Sequence, residues 1–367
     1  MAAYLVWFAP QAAHAASLPQ PGSLSPAALA ATPDGTRLFI ACATANEVAV
    51  FDVASGTVTR RIPVPHTPSG LALSSDGARL YVTCAAPQSS VRVLDSDSGK
   101  TLATLPAGHS ATAPVLSPDG KTLFVCNRFN NDVSLFDLET GKEQCRIPVQ
   151  REPVAAAISR DGRFLLVANH LHTGPADAEL VAAVVSVIDT AARKVIKELS
   201  LPDGSGLLND LRVSPDGKYA VVTHILPHFR LPATQLDRGW MNSNAATIID
   251  LARMEIVNTV LLDNIDRGAA DPWGIAWSAD SATLLITHAG THEISVIDFA
   301  ATLARLAKVP ATLDASKPMC RTTWPFSSAC AKGFGCPTMI SARARWCSWA
   351  AKPISPTTSP IPSASSI

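Results

Sequence analysis

Residues 118–137 read Pro118-Asp119-Gly120-Lys121-Thr122-Leu123-Phe124-Val125-Cys126-Asn127-Arg128-Phe129-Asn130-Asn131-Asp132-Val133-Ser134-Leu135-Phe136-Asp137. Asp-Gly between apolar runs marks a hairpin, because glycine reaches positive φ without a Cβ clash. The flanking runs alternate and are rich in β-branched and aromatic residues, as half-buried antiparallel strands require. The same pattern recurs at Pro33-Asp34-Gly35, Ser75-Asp76-Gly77, Arg160-Asp161-Gly162, Pro215-Asp216-Gly217 and, degenerate, Ala279-Asp280-Ser281. Starts at 33, 75, 118, 160, 215 and 279 are 42, 43, 42, 55 and 64 residues apart.

A period of about 40–45 residues with a third short run closing each unit, as in Cys145-Arg146-Ile147-Pro148-Val149, suits a four-stranded blade. One blade cannot bury both faces of its sheet, so the units must stack around an axis. The fold expected is all-β, a β-propeller with six recognisable blades, and helical periodicity is nearly absent.

The runs Tyr81-Val82-Thr83-Cys84, Phe124-Val125-Cys126-Asn127 and Leu166-Val167-Ala168-Asn169, each followed by a strand ending in Asp, resemble the YVTN-type bacterial β-propeller repeat. The resemblance covers about residues 25–305, and the propeller domain is read as residues 17–310. The insertion Arg230-Leu231-Pro232-Ala233-Thr234-Gln235-Leu236-Asp237-Arg238-Gly239-Trp240-Met241-Asn242 is similar to one in YVTN propellers that precede a di-haem, cytochrome c peroxidase-like domain. That resemblance implies a protein partner, a c-type cytochrome or peroxidase domain. This chain has no C-x-x-C-H site, so haem is expected only in such a partner and no cofactor in the chain itself. Arg230, Gln235, Arg238, Trp240 and Asn242, with His170 and His172, are the expected binding residues.

From about Met319 the repeat stops, and residues 311–367 read as an irregular tail crowded with Trp, Cys, Ser and Pro. Written as ATG TGC CGA ACG ACT TGG, Met319 to Trp324 gives V-P-N-D-L one frame over. The same shift over Ala351 to Ile367 gives S-K-A-Y-I-A-N-Y-F-T-D-S-L-S-V-I-D, when the first base of each shifted codon is chosen among synonyms. The repeat is restored, so the tail is read as a seventh blade scrambled by a frameshift. The alternative is a natural Pro/Ser-rich tail.

Residues 1–16 are apolar and end in Ala13-His14-Ala15, a small-x-small cleavage pattern without a basic leader. They are read as a signal peptide whose start lies upstream, which places the protein in a periplasm or outside the cell. The 30 basic and 30 acidic residues balance, leaving no electrostatic footprint for nucleic acid. No apolar run is long enough to span a bilayer.

Six histidines are the constellation most able to carry chemistry. His170 and His172 follow the second strand of the fourth repeat, His224 and His228 belong to the fifth, and His288 and His292 to the sixth. Equivalent positions of successive blades share one face, so His224, His228, His288 and His292 are candidate ligands for a transition metal. The competing account is that they cap strand ends against loop backbone. Asp237, Asp263, Asp266 and Asp271 flank insertions, where solvated loop carboxylates are the commoner reading. Nucleophile-elbow, P-loop and zincin motifs are missing. The function expected is a binding scaffold. Its alternative is a metal- or cofactor-dependent enzyme at the axial pocket, an oxidoreductase or lactonase-like.

Overall fold

The computed structural model describes residues 24–230, 241–263 and 268–308, and the backbone of 340–341. Six four-stranded antiparallel sheets follow one another, each with its strands in chain order from the axis outward. The blades span Pro26–Pro63, Thr67–Pro106, Ala111–Pro148, Pro153–Ser200, Leu211–Leu261 and Pro272–Asp298, the last with Ile340–Ser341 as its outer strand. The all-β propeller architecture therefore matches the repeat.

The Asp-Gly turns join first and second strands, and hydrogen bonding explains their repetition. The Ser117 hydroxyl donates to the Asp119 carboxylate at 2.5 Å and accepts the Thr122 N–H at 2.9 Å. Asp119 in turn accepts the Lys121 N–H at 3.1 Å, and Gly120 takes φ +69°. Thr32-Asp34, Ser74-Asp76, Ser159-Asp161, Ser214-Asp216 and Ser278-Asp280 repeat the arrangement. In the sixth, Ser281 adopts the positive φ that glycine holds elsewhere.

Third and fourth strands are joined by a second turn capped by the Asp that ends the third strand. Asp137 accepts the Glu139 and Thr140 N–H groups, and Asp52 and Asp95 act alike. In the sixth blade Asp298 has the same role but caps a helix, accepting the Ala301 N–H at 2.8 Å. That helix, Phe299–Leu306, was not legible as a period, since it is only eight residues long. Phe299 stacks edge-on against Tyr219 and Trp277, which covers the end of the layer between the fifth and sixth blades. The helix displaces the sixth outer strand to Ile340–Ser341, inside the stretch expected to be irregular tail. The remainder of that tail and residues 1–23 lie outside the described residues.

The core is a series of apolar layers between successive blades. Between the third and fourth, Phe124, Val133, Leu135 and Ile147 meet Ala156, Leu165, Val167 and Ile188. The outer strands of the first four blades are mostly exposed except for one Leu or Ile near the end, Ile62, Leu105, Ile147 and Leu199, which reaches the next blade's layer. Phe136 is wholly buried between the second and third blades. Phe136→Ala should lower the unfolding free energy by about 3–5 kcal/mol, read from urea denaturation. No helix among the described residues is long and apolar enough to cross a membrane.

Candidate functional site: the loop face

The six period-marking turns, from Pro33-Asp34-Gly35 to Ala279-Asp280-Ser281, lie at one end of the propeller. The connections from second to third strands, and from each outer strand to the next blade, emerge at the other. The insertions 170–183 and 201–210, and the described ends of 228–241 and 262–271, belong to that second end, the loop face. Every described histidine also sits there, in a connection or at the last turn of its strand.

The histidines do different jobs. Cys42, Cys84, Asn127, Asn169, His224 and His288 hold one register at the end of the second strand. Asn127 donates to the Ser134 hydroxyl at 2.7 Å and Asn169 to Ser186 at 2.9 Å. His224 Nε2 lies 2.8 Å from the Thr247 hydroxyl, which continues to Thr259 at 2.7 Å. His288 Nε2 lies 2.8 Å from the Ser295 hydroxyl. These side chains therefore bond inside their own blade instead of facing a shared axial site. Burial holds both His224 and His288 down to about 4.

The remaining histidines mostly meet the loops. His170 Nδ1 lies 2.7 Å from the Leu208 carbonyl oxygen, and His172 Nε2 is 3.3 Å from that of Pro175. His228 pairs with the Ser243 hydroxyl at 3.2 Å, while His292 is exposed in a turn with φ +57°. Among the described residues, no group of three or more His, Cys, Asp and Glu is placed to hold a metal ion. The four histidines expected as metal ligands are not brought together. The reason is that their strand register aims two of them at hydroxyls of the neighbouring strand.

Arg230 is central to the loop face. Its guanidinium pairs with Asp203 at 3.0 Å, donates to the Ala178 carbonyl and lies over the Phe229 ring, 5.4 Å from the centroid. Asp203 also accepts the Val181 N–H at 2.9 Å, so three insertions meet at one ion pair. Asn242 opens the third strand of the fifth blade opposite Pro227. Gln235, Asp237, Arg238, Trp240 and Asp266 lie outside the described residues.

A second network fastens the fifth blade to the sixth. Asn209 donates to Asp271 and to the Pro272 carbonyl, and Asp210 accepts the Ile275 N–H at 2.9 Å. Asn244 accepts the Asp271 N–H at 2.9 Å and donates its own backbone and side-chain N–H groups to the buried Asp263. Asp263 accepts a third bond from the Ala269 N–H at 2.7 Å. Burial pushes its carboxyl above the usual range, while these three donors favour the charged form. Asp263→Ala should cost about 3 kcal/mol, because buried donors lose their acceptor. Faster amide exchange at Asn244 and Ala269 is the readout.

Asp203, Asn209, Asp210 and Asn244 were not anticipated. An off-period Pro202-Asp203-Gly204 was the available signal for the first. Also not anticipated was the apolar character of this end. Phe129, Leu207, Phe229 and Met241, each at least 42% exposed, lie in its connections, and Trp273 stands 51% exposed at the start of the sixth inner strand. Such residues, set on hydrogen-bonded loops with Arg128 and Arg230 over Phe129 and Phe229, suit recognition of a protein surface.

A solved structure of hydrazine synthase from Kuenenia stuttgartiensis superposes with a TM-score of 0.72 at 26% identity, covering 82% of this chain and 83% of that one. This chain is a β-propeller. A family model described as "Lactonase, 7-bladed beta-propeller" matches residues 97–174 of the propeller, within the second to fourth repeats. Hydrazine synthase subunit beta of the same organism is 31% identical over 114 residues, which is 31% of the propeller chain and 29% of that relative's length.

Proposed function

We propose that this propeller is a periplasmic or secreted docking subunit whose loop face receives a protein partner, a c-type cytochrome or peroxidase domain. The observation that carries the reading is the gathering of exposed aromatic and aliphatic side chains on the one face where the insertions are tied together. A matched relative is named as one subunit of an enzyme, which supports a role in assembly. The resemblance of the 230–242 insertion to propellers joined to haem domains supports the class of partner, and the Ala13-His14-Ala15 pattern supports export.

The test is capture of a purified c-type cytochrome by the tagged chain, read at the haem absorbance. Phe229→Asp and Trp240→Ala should each weaken capture at least tenfold with the melting temperature unchanged. Equal capture by parent and both variants would sink the reading. Lactone hydrolysis is a second reading, favoured by the family match. Turnover of a simple γ-lactone with added divalent metal would support it over docking.

A further inference from the structure

At the end opposite the loop face, two clefts occupy equivalent places in the repeat. One lies between the third and fourth blades and the other between the fourth and fifth. Their linings differ in one direction. Arg160 stands where the first cleft has Pro118, Phe164 where it has Thr122, and Met254 where it has Arg193. The second cleft therefore gains a cation at its rim and an apolar floor. In the third blade Lys121 pairs with Glu139 at 3.2 Å. The same turn of the fourth blade carries Arg163 and Ala191, and its backbone is held alike. The Thr190 N–H donates to the Arg163 carbonyl at 3.0 Å, as Leu138 donates to Lys121 at 2.8 Å. Arg163 has thus lost the carboxylate that its position would otherwise meet.

We infer that the cleft between the fourth and fifth blades, about 520 Å3 in volume, binds a small carboxylate carried on an aromatic body. No carboxylate among the described residues lies within ion-pair distance of Arg160 or Arg163. The Arg160 stem lies across Gly217 of the next blade, where an added Cβ would sit 3.1 Å from its own Cβ. The Arg163 guanidinium stands over the Phe164 ring, 5.1 Å from the centroid. Three acids also line the cleft, and each is engaged in its own turn. Asp161 accepts the Ser159 hydroxyl and the Arg163 N–H. Asp216 pairs with Lys218 at 3.4 Å, and Asp250 accepts the Ala252 and Arg253 N–H groups and pairs with Arg253 at 3.4 Å. The two arginines are left with planar donor forks and no counter-ion, the arrangement that pairs with carboxylate oxygens. Phe164, Leu251 and Met254 belong to the apolar layer between these blades and form the floor. A ring beside a thioether suits an aromatic body, and the volume is that of a small-molecule site. In the first cleft Glu139 already neutralises Lys121, and Arg193 takes the place of the thioether, so the same ligand is not expected there.

The experiment titrates cinnamate into the full chain, with calorimetry for affinity and the Met254 methyl resonance for place. Saturable binding that shifts this resonance is expected. Cinnamamide keeps the aromatic body without the charge and should bind about tenfold more weakly. Arg160→Ala and Arg163→Ala should each weaken cinnamate about fivefold or more. Ala191→Glu restores the third blade's carboxylate on an exposed turn, so it should weaken binding by a similar factor with the melting temperature unchanged. Lys121→Ala, in the first cleft, should leave affinity as it is. Absence of saturable binding overturns the inference, and so does equal affinity for cinnamate and cinnamamide. Binding that survives both Arg163→Ala and Ala191→Glu, or leaves the Met254 methyl unmoved, overturns it as well, because the ligand then sits elsewhere.

Discussion

Lowering the pH from 7 to 5 should destabilise this protein steeply, and His224→Asn with His288→Asn should remove most of that dependence. Burial holds both imidazoles down to about 4, against an ordinary value near 6.5. Between those values the unfolded chain binds protons that the folded chain refuses. Stability contributed by the neutral rings is therefore fully present above 6.5 and lost as pH falls toward 4. Over the full interval the loss is about 3 kcal/mol for each histidine, at about 1.4 kcal/mol per unit. Two such groups reach the order of the whole stability of many domains. Asparagine is the informative replacement, because Asn127 and Asn169 already fill the same register against a serine hydroxyl. The double variant should lose about 1–3 kcal/mol at pH 7.5, from the smaller side chain and altered bond, yet vary less with pH. Urea titrations at pH 7.5, 6.5 and 5.5 decide it. Parallel pH dependence in parent and variant would remove the histidines as the cause.

The second large effect is expected at Gly204→Ala. Gly204 adopts φ +91°, and a Cβ there would fall 2.1 Å from the Pro227 carbonyl oxygen. Backbone on both sides is held: the Gly204 N–H donates to Val181, while Gly206 and Ile225 exchange two bonds at 3.0 Å. No side-chain rotation relieves the contact, so the 201–210 linker must leave the fifth blade. A loss of about 3 kcal/mol is expected from strain and broken bonds together. The Asp203–Arg230 pair would part with it, so cytochrome capture should fall along with stability. Arg230→Ala separates the two consequences, because it removes the ion pair without forcing the backbone. It should cost little stability, since the pair is part-exposed, yet release the 170–183 loop to proteolysis. A Gly204→Ala protein as stable as the parent would show that the linker has another resting place.

Chain position alone explains much of what was legible. A hairpin turn is local, so Asp119, Gly120 and Ser117 announce themselves within five residues, and six repetitions specify a stack. Register is equally local. His224 and His288 fall in equivalent repeats without coordinates, and the structure gives them the same register on the second strand as Asn169. Where their side chains turn was not legible, because it depends on Ser186, Thr247 and Ser295 one strand away. The same limit hid the loop-face frame. Asp203 meets Arg230, and Asn209 meets Asp271, over separations of 27 and 62 residues, with no repeat to advertise either pair.

From its sequence alone this protein is a stack of hairpin-built blades with insertions in the later repeats, because turn chemistry and strand alternation act over a few residues. Only the tertiary structure decided that the insertions bond to one another and that two histidines are buried against hydroxyls. Those features depend on which distant side chains meet when the sheets stack, and packing in three dimensions sets that.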